Sequence, residues 1–321
     1  MKQLRLAVLV CLIWISFDAQ TQNESVAQDS ALAESASKSV FPLDWLNFDA
    51  GEPGADESAA CAASEQLVWN YEAYLAVVEK TEGKSPLSEK AFDAVQVRKT
   101  YCLELVEKYL KQKFGDANPA VIRAFSEVPR EVFHYNYEGK YTTGANAYET
   151  HAKPWGIGYG SVLSDYLGQL YMTQLADPKP DMVVLEIGTG SGFQSSLLSR
   201  LVKKVYSIEI IEPLGNAVAT TIQALHYGNV STRVGDGYFG WPEVEGGFDL
   251  IMVTCAARHV PQALIDQLKP NGILMIPVGP AIKGRQVLFV YTKDGEGKVR
   301  SRRDTGVYFI AMTGRMLKGP R

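Results

Sequence analysis

Apolar and polar positions along the chain fall into four successive textures. Leu6 to Phe17 is an apolar run of twelve, preceded by Lys2 and Arg5 and closed by Asp18. A helix needs roughly 20 such residues to cross a bilayer, so the run reads as the core of a secretory signal peptide over residues 1–19. Cleavage after Ala19 would leave Phe17 where a small residue is preferred, so an uncleaved anchor or a misread start is the alternative. Residues 20–56 are rich in Ser, Ala, Gln, Asp and Glu, with one apolar island from Phe41 to Phe48. Such a stretch buries too little apolar area to offset its ordering entropy and reads as a disordered linker.

Over residues 57–115 the period becomes helical. Leu67, Val68, Tyr71, Tyr74, Leu75 and Val78 mark one arm, from about Asp56 to Lys80. Phe92, Val95, Val97, Tyr101, Leu103, Leu105, Val106 and Leu110 mark a second, from about Ser88 to Phe114. Gly83 and Pro86 stand between them as helix stops, which predicts a helical hairpin.

From residue 116 to 321 the pattern predicts one α/β domain. Short runs rich in β-branched residues occur at Met182–Ile187, Val205–Ile210, Val230–Val234, Leu250–Thr254 and Ile273–Val278. They alternate with helical stretches at Phe193–Leu201, Pro213–Leu225 and Val260–Leu268. Alternation of this kind implies a mostly parallel sheet with helices on both faces. Gln286–Thr292 and Val307–Thr313 read as a hairpin-like addition at the end of the sheet.

The 46% apolar and 21% charged fractions are those of a globular protein. A net charge of −4 argues against a dedicated nucleic-acid binder. Charge is uneven, with eight acidic and one basic residue over 21–60, and ten basic and three acidic over 281–321. The basic end could hold an acidic substrate or be a solvated surface. His134, His151, His226 and His259 show no metal-ligand spacing, and no Cys-x-x-Cys pair occurs, so no metal site is expected.

The strongest chemical signal is Glu186-Ile-Gly188-Thr189-Gly190-Ser191-Gly192, where a buried strand ends in an acid and a tight glycine turn opens a helix. Glycines there allow a sharp turn and close approach of a ligand, but NAD, FAD and S-adenosylmethionine sites all use such a loop. Glu209 ends the next strand about twenty residues on, where a carboxylate accepts from ribose hydroxyls. Asp236, followed by Gly237, ends the third, where a carboxylate can accept from an adenine amino group. Each acid alone could be a solvent contact or a helix cap. Three at successive strand ends point to a nucleoside-bearing ligand, because open α/β sheets bind at the carboxyl ends of their strands.

Residues from about 118 to 314 resemble the protein-L-isoaspartate O-methyltransferase family. The resemblance rests on Val128-Pro-Arg-Glu-Val-Phe133, Ala147-Tyr-Glu149, Pro154-Trp-Gly156, the glycine loop with Phe193-Gln194, and Val205-Tyr-Ser-Ile-Glu-Ile-Ile211. It continues through Val234-Gly-Asp-Gly-Tyr238, Gly240-Trp-Pro242, Leu268-Lys-Pro270 and Ile276-Pro-Val-Gly279. The resemblance implies a class I S-adenosylmethionine-dependent methyltransferase fold, Rossmann-like with a mostly parallel seven-stranded sheet, behind an N-terminal helical hairpin. It implies methyl transfer from S-adenosyl-L-methionine to an L-isoaspartyl carboxylate of a peptide or protein, a repair reaction. The cofactor residues it implies are Glu186, Gly188, Thr189, Gly190, Ser191, Gly192, Glu209, Asp236 and Gly237.

One segment departs from the family. Where the family has Thr-Ile-Ser followed by proline, this chain has Val162-Leu163-Ser164-Asp165-Tyr166, with about two extra residues in Gly156–Gly160. Ser164 is retained as the residue for holding the acceptor carboxylate, while a cap on the helix beginning near Asp165 is its ordinary alternative. A different carboxylate acceptor, or an exported binding protein with a vestigial cofactor site, are the competing functions. The tyrosines at 135, 137, 141, 148, 159 and 166, with Trp155, can line a peptide groove or pack with their hydroxyls outward. Cys255 reads as a packing residue. Cys61 and Cys102 lie at comparable distances from the hairpin turn and would pair as a disulfide if the chain is exported. Export to periplasm or medium is the location read from the leader, and the cytoplasm is the family alternative. A monomer with no stable membrane span is expected.

Overall fold

The computed structural model describes residues 69–81, 85–281 and 284–318. The signal peptide, the linker, the beginning of the first helical arm and Cys61 lie outside the described residues, and with Cys61 so does its pairing with Cys102.

Helix α1, Tyr71–Glu79, starts at Asn70, whose side chain accepts from Ala73 N at 2.9 Å. Helix α2, Glu89–Phe114, starts at Ser88 and stops at Gly115, which adopts φ 86. These caps satisfy backbone groups that a helix leaves open at its ends. Tyr71 and Tyr74 of α1 pack on Phe92 of α2 with ring centroids 5.6 and 5.2 Å apart. Helices α3 (Pro119–Glu127) and α4 (Arg130–Phe133) follow. One buried cluster contains Tyr74 and Phe92 together with Phe125, Phe193, Leu250 and Phe309. The hairpin therefore shares the core of the α/β domain, and no break in packing marks residue 115.

Two short hairpins that carry too few residues to show a period come next. Strands β1 (Tyr135–Asn136) and β2 (Tyr141–Thr142) pair antiparallel, as do β3 (Trp155–Gly158) and β4 (Ser161–Leu163). The extra residues near Gly156–Gly160 form the tip of the second hairpin, with Gly158, Tyr159 and Gly160 all at positive φ. Helix α5 is Tyr166–Ala176.

The main sheet comprises β5 (Val183–Ile187), β6 (Lys204–Glu209), β7 (Val230–Val234), β8 (Phe248–Val253), β9 (Leu268–Val278), β10 (Gln286–Lys293) and β11 (Val299–Val307). Helices α6 (Phe193–Ser199), α7 (Glu212–Ala224) and α8 (Gln262–Asp266) connect them. The order is β11-β10-β9-β8-β5-β6-β7, with β5 to β9 parallel and β10 antiparallel to both of its neighbours, β9 and β11. Successive residues of β5 enter opposite cores, Val184 on one face and Leu185 on the other. Burial on both faces is why the strand reads as a continuous apolar run. This is the class I methyltransferase fold that the sequence predicts.

One strand differs from the sequence reading. The last strand is Val299–Val307, not Val307–Thr313. Its exposed Arg300, Arg302 and Arg303 suit an unpaired sheet edge, which charge protects from unwanted pairing. Residues 308–313 are apolar for another reason. They cross the carboxyl end of β8, where Ala256 N donates to Ile310 O and Met312 N donates to Ala256 O, both at 2.8 Å.

Candidate active site

Chain order in the sheet reverses at β5, because β6 and β7 lie on one side of it and β8 on the other. A crevice at the carboxyl ends of the strands follows from that topology. A cavity of about 810 Å³ occupies it.

The glycine loop forms its floor. Gly188 and Gly190 line the cavity at φ 101 and 53, with Thr189 and Ser191 beside them. A Cβ on Gly188 would stand 2.7 Å from Thr254 Oγ1, which itself donates to Gly188 O at 2.7 Å. A Cβ on Gly190 would sit 3.9 Å from both Gly188 O and Val162 O, between the glycine loop and strand β4. Gly192 plays a different part and does not line the cavity. It opens α6 at φ 87 and packs so close to α7 that a Cβ would meet Val218 at 2.6 Å.

Three carboxylates stand at the strand ends, as the sequence places them. Glu186 is fully buried. Its Oε2 accepts from Ser207 Oγ at 2.6 Å, while its Oε1 is buried with no partner. Burial pushes its carboxyl up to about 8, with the nearby Glu209 charge adding to the effect. Glu209 accepts from Gly190 N through Oε2 at 2.8 Å and from Ile211 N through Oε1 at 3.0 Å. Asp236 accepts from Tyr238 N at 3.0 Å and from Arg315 N at 2.6 Å. Gly237 follows on the cavity wall. Among the described residues lining the cavity there is no Lys, Arg or His. Its electrostatics therefore suit a ligand carrying positive charge.

The lining from the two hairpins and the segment before α5 carries no charged side chain and is more aromatic. Ser161, Val162 and Ser164 belong to it with Trp155, Tyr159 and Tyr141, and a Cβ on Gly190 would lie 3.9 Å from Val162 O and 4.0 Å from Ser161 Oγ. Helix α5 is capped by Asp165, whose Oδ1 accepts from Gly168 N at 2.7 Å, so the capping alternative for Ser164 is taken by its neighbour. Of the six tyrosines, Tyr141 and Tyr159 line the cavity. The others pack inside: Tyr148 Oη donates to Glu131 Oε2 at 3.0 Å, Tyr166 Oη donates to Glu149 O at 2.7 Å, and Tyr135 and Tyr137 are buried. Cys255 lines the cavity, and burial, with the Glu209, Asp236 and Glu186 charges, pushes its thiol well up, which disfavours the thiolate. His134 is buried beneath Trp155 and held neutral, burial being the main cause.

Sequence reasoning missed the segment from Tyr308 to Thr313, all of which lines the cavity. Its β-like apolar composition hid a loop crossing the site. Gln169 and Gln194, buried on α5 and α6, were missed as well; a glutamine on an otherwise apolar helix face is the available signal.

Residues 103–317 match the profile of the family described as protein-L-isoaspartate(D-aspartate) O-methyltransferase. A protein-L-isoaspartate O-methyltransferase of Nitrosospira multiformis is 47% identical over 168 residues, covering 52% of this chain and 70% of the relative. One from Nitrosococcus oceani is 43% identical over 195 residues, covering 61% of this chain and 84% of the relative. Among solved structures, a protein-L-isoaspartate O-methyltransferase superposes with a TM-score of 0.56 at 24% identity, covering 68% of this chain and 67% of that one. A Plasmodium falciparum chain described as a beta-aspartate methyltransferase in complex with S-adenosyl-L-homocysteine gives 0.52 at 22% identity, covering 65% of this chain and 96% of that one. At that identity these two structures share the fold.

Proposed function

The chain belongs to the protein-L-isoaspartate O-methyltransferase family, and from that premise we propose that it methylates the carboxylate of L-isoaspartyl residues in peptides and proteins, with S-adenosyl-L-methionine as cofactor. The observation that carries the reading is one cavity lined together by three strand-end carboxylates, the glycine loop and Ser164.

The residues fit the cofactor. Glu186 Oε1 is a buried acceptor without a partner, and a Cβ on Gly190 would fall inside the cavity. Glu209 would hold the ribose, Asp236 and Gly237 the adenine end, and Gly188 to Ser191 the turn between them. Gly192 acts from outside by setting the start of α6. When bound, the cofactor supplies a methyl group on a positively charged sulfur.

The acceptor needs little activation. A carboxylate is ionised at neutral pH, so its oxygen takes the methyl group directly and no proton moves. The work left to the chain is alignment and exclusion of water. Ser164 would donate its hydroxyl hydrogen to the acceptor carboxylate, and the 308–313 segment, which lines the same cavity, would help exclude water. With Val162 in place of the family threonine, one donor is missing from this wall, so the hold on the acceptor falls more heavily on Ser164.

Export is the location we propose with this function, supported by Lys2, Arg5 and the apolar run to Phe17. No helix among the described residues is long and apolar enough to cross a membrane. Cell fractionation tests the location and light scattering tests the monomer. For the function, the purified protein is incubated with labelled S-adenosylmethionine and an isoaspartyl peptide. A base-labile methyl ester on the peptide supports the reading, and a label elsewhere or nowhere opposes it.

A further inference from the structure

Arg130 is among the largest fully buried side chains, and it does not line the cavity. An apolar residue could fill such a place without the cost of burying a charge, which is large unless contacts offset it. Its contacts are specific. Nη2 donates to the backbone carbonyl of Ser164 at 2.6 Å, and Nη1 donates to Gln169 Oε1 at 2.7 Å. The guanidinium lies 4.6 Å from the ring centroid of Phe193 and 5.6 Å from that of Tyr166. Phe193 is the first residue after the glycine loop, and Ser164 and Gln169 line the cavity. One side chain therefore holds the acceptor segment and rests on the helix that the cofactor loop opens.

The backbone of Arg130 is fixed in turn. Its N–H donates to Tyr148 Oη at 3.0 Å, and that hydroxyl donates to Glu131. Glu131 Oε1 also accepts from Trp69 Nε1 and Gln96 Nε2, both at 2.7 Å. Trp69 and Gln96 precede the residues matched by the family profile, so residues outside that match brace this point.

We propose that Arg130 is a positioning residue for methyl transfer, setting Ser164 at its working distance from the glycine loop. It touches neither cofactor nor acceptor and acts through Ser164 and Gln169. The inference rests on the methyltransferase reading. A shift of about 1 Å between reacting groups can cost on the order of a hundredfold in rate, so the geometry of this fork matters more than its charge. Lysine keeps the charge but cannot donate to two acceptors in a fixed plane.

The test compares wild type, Arg130→Lys, Gln169→Met and the double variant for kcat and KM with an isoaspartyl peptide, for S-adenosylmethionine Kd, and for Tm. Arg130→Lys is expected to lose about 10- to 100-fold in kcat, with cofactor Kd within about twofold of wild type. Gln169→Met is expected to lose less, and the double variant no more than Arg130→Lys, because both act on one linkage. Should Arg130→Lys not fold, a kcat loss in Gln169→Met at unchanged cofactor Kd supports the proposal, and wild-type kcat there overturns it. Wild-type kcat in folded Arg130→Lys overturns it, as do additive losses or a kcat loss matched by an equal loss of cofactor affinity. Wild-type protein inert on every isoaspartyl peptide would sink the functional reading and this inference together, whereas active wild type with an unaffected variant sinks only this one.

Discussion

Glu209 Oε2 accepts the backbone N–H of Gly190 at 2.8 Å, which ties the end of β6 to the middle of the glycine loop. With the ribose role proposed for this carboxylate, removing it would take away a ligand contact as well as a loop restraint. Glu209→Ala is expected to weaken S-adenosylmethionine binding by at least about 1.5–3 kcal/mol, the range for a hydrogen bond to a charged group. Calorimetry reads this directly, and unchanged affinity would remove Glu209 from the site.

Asp236, proposed for the adenine, ties the end of β7 to the C-terminal turn through Arg315 N. A Cβ at Gly314 would meet Asp236 Oδ2 at 2.5 Å, which shows how tightly that turn is seated. Asp236→Ala should therefore weaken cofactor binding and also expose residues 314–318 to hydrogen exchange. Weaker binding with unchanged exchange would leave the ligand contact and dismiss the seating.

Much of this site was legible in the sequence because strand ends, glycine turns and acids are local signals. Glu186, Glu209 and Asp236 stand at the ends predicted for them, one strand apart. Arg130 was not legible. Its significance depends on Ser164, Gln169 and Phe193, which lie far from it in the chain and meet it only when the core closes. Nor was the edge strand Val299–Val307, because a charged edge has no apolar alternation to read.

Glu186 predicts a dependence on pH. Its folded-state carboxyl lies at about 8 against an ordinary value of 4.5, so the folded form without cofactor binds a proton that the unfolded chain has released. Its contribution to stability is therefore fully present below pH 4.5 and falls as pH rises to about 8. A cationic ligand favours the ionised form, so cofactor affinity should rise over the upper part of that window with release of a proton. Glu186→Gln should flatten both trends. Calorimetry in buffers of different ionisation enthalpy counts the proton, and a pH-independent affinity in wild type would contradict the assignment.

Ser164→Ala separates acceptor handling from cofactor binding. Because Asp165 caps α5, loss of the Ser164 hydroxyl should leave Tm nearly unchanged. A fall of about one to two orders of magnitude in kcat/KM for the peptide is expected, equivalent to roughly 1.5–3 kcal/mol. Cofactor Kd should hold. Full activity in the variant would transfer the acceptor role to another group on that wall.

An isoaspartyl carboxylate is the proposed acceptor, and Val162 to Tyr166, the segment that would meet it, is where the sequence departs from the family motif. The most direct measurement offers the purified protein two peptides identical but for one Asp or isoAsp linkage, with labelled S-adenosylmethionine, and compares initial rates of methyl ester formation. Methyl transfer to the isoaspartyl peptide and a rate near background for its aspartyl twin are expected. Equal rates on both, or none on either while the cofactor binds, would contradict this assignment.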